Sequence, residues 1–301
     1  MLIREIIAAY TTAKDDRFAF KKCLHPQNIR SSLNRIVTKW GDLEIDAFNK
    51  GCVTRVETAY SEWRSEGTQT GTIRKALSLF RAACKHCIKR ELLASNQMPI
   101  FDLPPPGPPR ERVVDPEKEL PGILHEAKHG KTPYHIWLQT ELLLRIGCRV
   151  GALLKLQWSK HIDFEKRLIL LRDTQSAEER RDNKKRRENA PMDDDLYALL
   201  MEAKARALSD FVIEWRGHGV SRTYAGQKSL YRRAGVENLH RHDLRRTSAT
   251  YVRDSLSLEK AAEHIGDTIE MTRKHYAHAN PERKLEGISK VSALLRRAAT
   301  T

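Results

Sequence analysis

Between Leu103 and Pro109 the chain reads Leu-Pro-Pro-Pro-Gly-Pro-Pro, so five of its twelve prolines fall in one short stretch. Proline lacks an amide donor and fixes φ, so this stretch can neither continue a helix nor lie inside a sheet. Polyproline geometry makes it a semi-rigid spacer. The chain therefore divides near residue 105 into about 100 and about 190 residues, both ordinary domain sizes. The expected layout is a first domain over 1–105, a spacer over 106–114 and a second domain over 115–301. Asp115-Pro116 reads as an N-cap followed by proline at the first helical position, so a helix is expected to start there.

The first segment reads as helical throughout. Its best element runs from Thr72 to about Leu92, where Ile73, Leu77, Phe80, Cys84 and Ile88 recur at spacings of three and four and line one face. Arg74, Arg81, Lys85 and Lys89 lie largely off that stripe. A basic face opposite a buried one suits a solvated helix, or a helix lying along a phosphate backbone. Cys84-Lys-His-Cys87 looks like half a metal site, but no second Cys or His pair follows at finger spacing, so core packing is expected and no metal.

The second segment mixes types. Helical periodicity covers Tyr134 to Ile146, with a further helix over Gly151 to Leu156. Ile162 to Arg172 reads as a strand, Ser176 to Asn189 as a polar loop, and Ala190-Pro-Met192 as the end of a returning strand before a helix from Asp193 to Ala205. Phe211 to Trp215 is another short β-run, stopped by Gly217 and Gly219. From Thr223 onward the pattern is helical, broken near Gly266. That order fits a mainly helical α+β domain with a small antiparallel sheet.

Composition narrows the function classes. Lys and Arg number 54 against 39 Asp and Glu, a formal charge of +15 that points to a polyanionic partner, of which nucleic acid is the commonest. No apolar run approaches the roughly 18 residues needed to span a bilayer, and the N-terminus lacks a signal-peptide core. Five cysteines are too sparse and odd a set for a disulfide scaffold. A soluble cytoplasmic protein, with no membrane partner, is the expectation.

Four features of the second segment are hard to explain as structure alone. Arg149 sits in Arg145-Ile-Gly-Cys-Arg-Val-Gly151, where an apolar helix gives way to a glycine-flanked turn. His242-Asp-Leu-Arg245 places an imidazole and a guanidinium at i and i+3, on one face of a helical turn. Lys184 and Lys185 lie in the charged loop between strands. Tyr276 follows in Lys274-His-Tyr-Ala-His278.

In this order and at these separations, the residues resemble the tyrosine recombinases, also called the phage integrase family. Leu144 to Trp158 resembles the family's first arginine box, Leu239 to Thr250 its His-x-x-Arg box, and Ile265 to His278 the segment that ends in its nucleophile. Thr72 to Leu93 is similar to the last long helix of the family's core-binding domain. The resemblance implies an all-α core-binding domain followed by an α+β catalytic domain, gripping double-stranded DNA from opposite sides. No arm-binding domain is expected before residue 1, because the helical pattern begins almost at once.

What the resemblance implies can be checked against the chemistry. Tyr276 would attack the scissile phosphate and form a 3′-phosphotyrosyl bond. Arg149 and Arg245 would clamp the nonbridging oxygens with paired, permanently charged donors. His242 would hydrogen-bond the phosphate or accept the phenol proton. A loop lysine, Lys184 or its neighbour Lys185, would protonate the 5′-hydroxyl leaving group. No cofactor or divalent metal is then needed. Arg74, Arg81, Lys85, Lys89, Lys185 and Arg187 would contact DNA. The implied function is cutting and rejoining DNA at paired sites, in the integration or excision of a mobile element. Nucleoid association and DNA-bending accessory proteins fit such a role.

The sequence departs from the family pattern at two positions near the arginines. Nine residues before the nucleophile, where the family usually has His or Trp, stands Asp267. A carboxylate cannot donate a hydrogen bond to phosphate and repels its charge. Asp267 either orients an arginine or accepts a bond from Tyr276; otherwise it impairs catalysis. Three residues after the first arginine, where the family often carries an acid, stands Ala152. Two other readings follow: a DNA-binding accessory protein on a recombinase scaffold, and a DNA-relaxing topoisomerase. Beyond Tyr276, Leu285, Ile288, Val291 and Leu295 form one stripe within Pro281 to Ala298. That helix packs on its own domain or docks onto a neighbouring subunit, as such tails do in the resembled family, giving a homo-tetramer on DNA.

Overall fold

The computed structural model describes residues 1–15, 26–107, 110–175 and 187–276. Its residues cluster into two units, Met1–Pro108 and Pro109–Thr301.

The first unit is all helical, with α1 (Ile3–Asp15), α2 (Pro26–Trp40), α3 (Ile45–Asn49), α4 (Cys52–Ser65) and α5 (Thr70–Lys89). The apolar stripe read from the sequence is the buried face of α5: Ile73, Leu77, Phe80 and Cys84 are fully enclosed, and Ala76, Ala83 and Cys87 widen the stripe. The small residues let α1 and α2 approach α5. Around Phe80 an aromatic cluster forms, with Phe48 edge-on at 5.4 Å, and Trp40 packs on Phe48 at 5.0 Å. Such offset and perpendicular ring pairs are the favoured geometry. The start of the chain is fastened to the loop before α3, as Ile3 N donates to Leu43 O at 2.9 Å and Ile45 N to Met1 O at 3.0 Å.

The second unit carries α6 (Leu120–His129), α7 (Tyr134–Ile146), α8 (Val150–Leu153), α9 (Trp158–His161), α10 (Asp194–Ala205), α11 (Tyr224–Arg233), α12 (Arg241–Ser255), α13 (Leu258–Ile265) and α14 (Ile269–Tyr276). Helix α7 is its central pillar: Ile136, Leu138, Leu142 and Leu143 are buried along with Gln139 and Thr140. A helix hydrophobic nearly all round is one with neighbours on every side. Helices α6 and α12 pack against α7, and α13 packs against α12.

Three short antiparallel strands, β1 (Ile162–Asp163), β2 (Leu168–Ile169) and β3 (Ala190–Pro191), lie in the order β1-β2-β3, with Ile169 opposite both Ile162 and Ala190. A single strand over 162–172 is expected from the sequence, but the segment folds back on itself. Asp163 Oδ1 accepts from Lys166 N at 2.9 Å, and Arg167 takes a left-handed φ of 50°, which closes a turn. The last part, Leu171–Thr174, is a 3-10 turn. The β-run at 211–215 shrinks likewise to β4 (Glu214–Trp215), paired with β5 (His218–Gly219). Arg216 and Gly217 make the hairpin turn with φ of 52° and 79°, the two positive values that such a two-residue turn requires. Gly217 is thus the reversal and Gly219 part of the returning strand.

Helix α6 also starts later than Asp115-Pro116 suggests. Asp115 Oδ1 accepts from Glu117 N and Lys118 N, both at 2.9 Å, which caps a turn. The helix itself begins at Leu120 with Pro121 in its first turn, because a proline further inside would clash with the preceding turn.

Candidate active site

The first arginine box folds as a helix end. Gly147 closes α7 with φ of 55°, its N–H donating to Leu143 O at 3.1 Å. A side chain at 147 would meet His264 Nε2 at 3.0 Å, so both the conformation and the space call for glycine. Arg149 follows in extended geometry as the N-cap of α8, which throws its side chain off the helix axis.

Arg245 comes from the second turn of α12, with only 5% of its side chain exposed. Its Nη1 donates to Gly147 O at 2.6 Å and to Ile265 O at 2.8 Å. One guanidinium therefore ties the end of α7 to the end of α13. Helix α13 stops at Gly266, whose φ is 64°. Asp267 comes next, and its Oδ2 accepts from Arg149 Nη2 at 3.1 Å and from Arg245 Nη2 at 3.3 Å. The two arginines named by the sequence converge on one oxygen. Two guanidinium groups repel at this range, and the shared carboxylate offsets that repulsion.

The surroundings are narrow. Arg149, Arg187, Arg245, Glu188, Cys148 and His264 line a cleft of about 10 Å³, room for roughly one water molecule. Arg187 donates to Thr174 Oγ1. The backbone at 187–188 runs directly against the Asp267 turn, since a Cβ on Gly266 would lie 2.8 Å from Glu188 N. Burial pushes the Cys148 thiol up to about 12 despite the nearby arginines, so it stays a protonated thiol.

His242 lies in the first turn of α12 and is exposed. Partial desolvation, then the charges of Arg241 and Arg245, hold its pKa below the ordinary 6.5, with Asp243 opposing. The imidazole is consequently neutral at neutral pH and able to accept a proton.

The phage integrase family model matches residues 115–283. The chain belongs to the phage integrase family. Solved structures agree on the fold. A lambda integrase dimer bound to a COC′ core site superposes with a TM-score of 0.70 at 16% identity, covering 91% of this chain and 77% of that one. The Tn1549 transposon integrase in complex with a circular intermediate DNA gives 0.74 at 15% identity, over 97% and 99%. A lambda integrase tetramer bound to a Holliday junction gives 0.71 at 16% identity, over 93% and 80%. No curated protein matches the sequence.

In this phage integrase family member the remaining predicted residues are placed as follows. Tyr276 ends α14, the helix that begins three residues after Gly266; its side chain lies outside the described residues. Lys184, Lys185 and the 281–298 segment also lie outside them. Two other tyrosines of this unit have their hydroxyls or rings engaged elsewhere. Tyr231 is 3% exposed, and burial raises its pKa. Tyr251 donates to Val114 O at 2.9 Å. In the first unit Arg74 donates to the Leu103 and Pro104 carbonyls and Arg81 stacks 5.8 Å over the Phe101 ring, whereas Lys85 and Lys89 are exposed on α5. Two of the four basic residues read as a DNA face thus hold the segment that leads into the proline spacer. Cys84 and Cys87 are core residues, and among the described residues no cluster of three His, Cys, Asp or Glu side chains could hold a metal ion. No described helix is long and apolar enough to cross a membrane.

Sequence reasoning missed a pair beside the arginines. Ser248 Oγ and His264 Nε2 share a hydrogen bond of 2.7 Å. His264 presses on the Gly147 turn, and Ser248 lies one turn beyond Arg245 on the same helix. The i+3 spacing from Arg245 was the available signal for Ser248; a histidine directly before Ile265-Gly266 carried none.

Proposed function

We propose that this chain is a site-specific DNA recombinase that cuts and rejoins DNA through a phosphotyrosyl intermediate. The observation that carries the reading is the convergence of Arg149 and Arg245 on a single anionic oxygen, between two glycine-closed helix ends. A group that holds one carboxylate oxygen by two guanidiniums has the charge and donor geometry to hold a phosphate.

The chemistry then runs through the chain's own residues. The phenol oxygen of Tyr276 forms a bond to phosphorus while the bond from phosphorus to the 5′-oxygen breaks. His242 accepts the phenol proton, and Lys184 or Lys185 gives a proton to the departing 5′-oxygen. Arg149 and Arg245 oppose the charge that grows on the nonbridging oxygens, usually the largest catalytic contribution. The phosphotyrosyl bond retains the energy of the phosphodiester, so a 5′-hydroxyl from a second duplex can reverse the attack with no cofactor. Asp267 serves as the bridge that orients both arginines, which favours its supporting role over an impairing one. The same carboxylate answers the absence of an acid at Ala152.

Partners follow from this reading: double-stranded DNA with paired sites, and further copies of the chain. The lambda integrase tetramer on a Holliday junction supports assembly as a tetramer here, and exchange of the 281–298 segment between subunits is the proposed link. Integration or excision of a mobile element, in the cytoplasm at the nucleoid and with DNA-bending accessory proteins, is the role proposed. Lys85, Lys89, Lys185 and Arg187 supply salt-sensitive affinity.

A duplex nicked near the cleavage point tests the reading. Cleavage releases a short fragment and traps the covalent product. Trapping with the unmodified chain and its loss in Tyr276→Phe are expected, followed by strand exchange between two intact duplexes. DNA binding without trapping would favour an accessory protein. Relaxation of supercoiled DNA without exchange would favour a topoisomerase.

A further inference from the structure

Helix α12 has two working faces. His242, Arg245 and Ser248 follow one another at spacings of three, and Asp243, Thr247 and Tyr251 at spacings of four. At about 100° per residue these two stripes lie roughly 160° apart around the helix. The first faces the arginine cleft. The second is gripped, residue by residue, by the extended segment 110–114.

The grip is specific. Arg110 Nε donates to both Asp243 oxygens at 2.9 and 3.0 Å, and its Nη2 donates to Oδ2 at 2.7 Å and to Asn238 O. One turn on, Val114 N donates to Thr247 Oγ1 at 2.9 Å, and that hydroxyl donates to Asp243 O at 2.8 Å. A turn further, Tyr251 donates back to Val114 O at 2.9 Å. Asp243 is fully buried. It also accepts from His240 N at 2.8 Å, which caps α12, and from Arg246 Nη1 at 3.1 Å. The buried carboxylate is thus a node between the residue that follows the proline spacer and the two residues, His242 and Arg245, that flank it on α12.

We propose that Arg110 is a positioning residue for strand cleavage, holding α12 so that His242 and Arg245 meet the phosphate. The proposal rests on the recombinase reading. A surface arginine that merely solvated the spacer would not reach a fully buried carboxylate with a two-pronged bond. A bond made only for stability would not need to fall within the His-x-x-Arg turn. Asp243 lies between the two functional residues, so any tilt of the helix at this point moves both. A shift of about 1 Å at reacting groups costs on the order of a hundredfold in rate.

The experiment measures single-turnover trapping on the nicked duplex with the full chain, at saturating DNA, alongside DNA affinity. Arg110→Gln is expected to slow trapping about 30- to 100-fold while changing the half-saturating DNA concentration less than about threefold. Arg110→Lys keeps the charge without the fork and is expected to fall between. Leu200→Ala, a cavity in α10 on a different part of the core, supplies a destabilised control that keeps its rate at saturating DNA. Should Arg110→Gln fail to fold, Arg110→Lys carries the comparison. An unchanged rate in the Arg110 variants, or an equal loss in Leu200→Ala, would overturn the proposal. No trapping by the unmodified chain would instead overturn the recombinase reading, and the positioning role with it.

Discussion

Asp267 Oδ2 lies 3.1 Å from Arg149 Nη2, joining residues 118 apart in sequence. The same oxygen reaches Arg245, so the carboxylate links the glycine turn after α7 to helix α12. Removing it leaves two neighbouring cations without their common counter-charge. Asp267→Ala is expected to slow phosphotyrosyl trapping about tenfold or more, and Asp267→His to slow it as well. A large gain from Asp267→His would show that the aspartate impairs the site.

The two arginines differ in burial. Arg245, 5% exposed, bonds two backbone carbonyls inside the fold, whereas Arg149 is a quarter exposed. Lysine at either position lacks the forked donor set. Both Arg149→Lys and Arg245→Lys are expected to lose about 100- to 1,000-fold in trapping rate. Only Arg245→Lys should also unfold markedly earlier, by about 1–3 kcal/mol for each carbonyl left unpaired. Equal thermal midpoints for the two variants would contradict this division.

Gly266 is held by conformation and by space. With φ of 64° and a would-be Cβ 2.8 Å from Glu188 N, Gly266→Ala has to shift either the Asp267 turn or the start of β3. A cost of at least about 1–2 kcal/mol and a drop in trapping rate are expected together. Gly151 in α8 meets nothing within 4 Å, so Gly151→Ala is expected to stabilise by about 0.5–1 kcal/mol. Chemical denaturation of the two variants reads the contrast directly.

Acid should weaken the site from within. Burial, then the charge of Arg245, holds His264 below the ordinary 6.5, and His242 is depressed as well. The unfolded chain therefore takes up these protons before the folded chain does as pH falls. Stability is flat above the ordinary histidine range and declines as pH drops through and below 6.5. His264→Gln, which retains a partner for Ser248, is expected to show a shallower decline in thermal midpoint between about pH 7 and pH 5. An equal or steeper decline would show that the burden lies elsewhere.

Much of this fold could be read from spacing. The α5 stripe and α7 follow from apolar periodicity, and the α13 stop follows from Gly266. The strands are shorter than their apolar runs because their turns depend on Asp163 and on left-handed Arg167 and Arg216, and no glycine or proline marks the first reversal. The arginine boxes named Arg149 and Arg245, but not what joins them. For Asp267 the sequence leaves an arginine-orienting role and an impairing one both open, and the fold sets its carboxylate between the two guanidiniums. Arg110 was invisible for a related reason. An arginine beside a proline run looks solvated, and only the folded chain brings it to a buried carboxylate in another segment.

The central claim is that the phenol of Tyr276 attacks the phosphate held by Arg149 and Arg245. Peptide mapping by mass spectrometry of the product trapped on nicked DNA tests it most directly. The account predicts a single modified peptide, carrying the nucleotide phosphate on Tyr276 and absent from Arg149→Ala and Arg245→Ala digests. A phosphate bond at any other residue, or one that forms undiminished without those arginines, would contradict it.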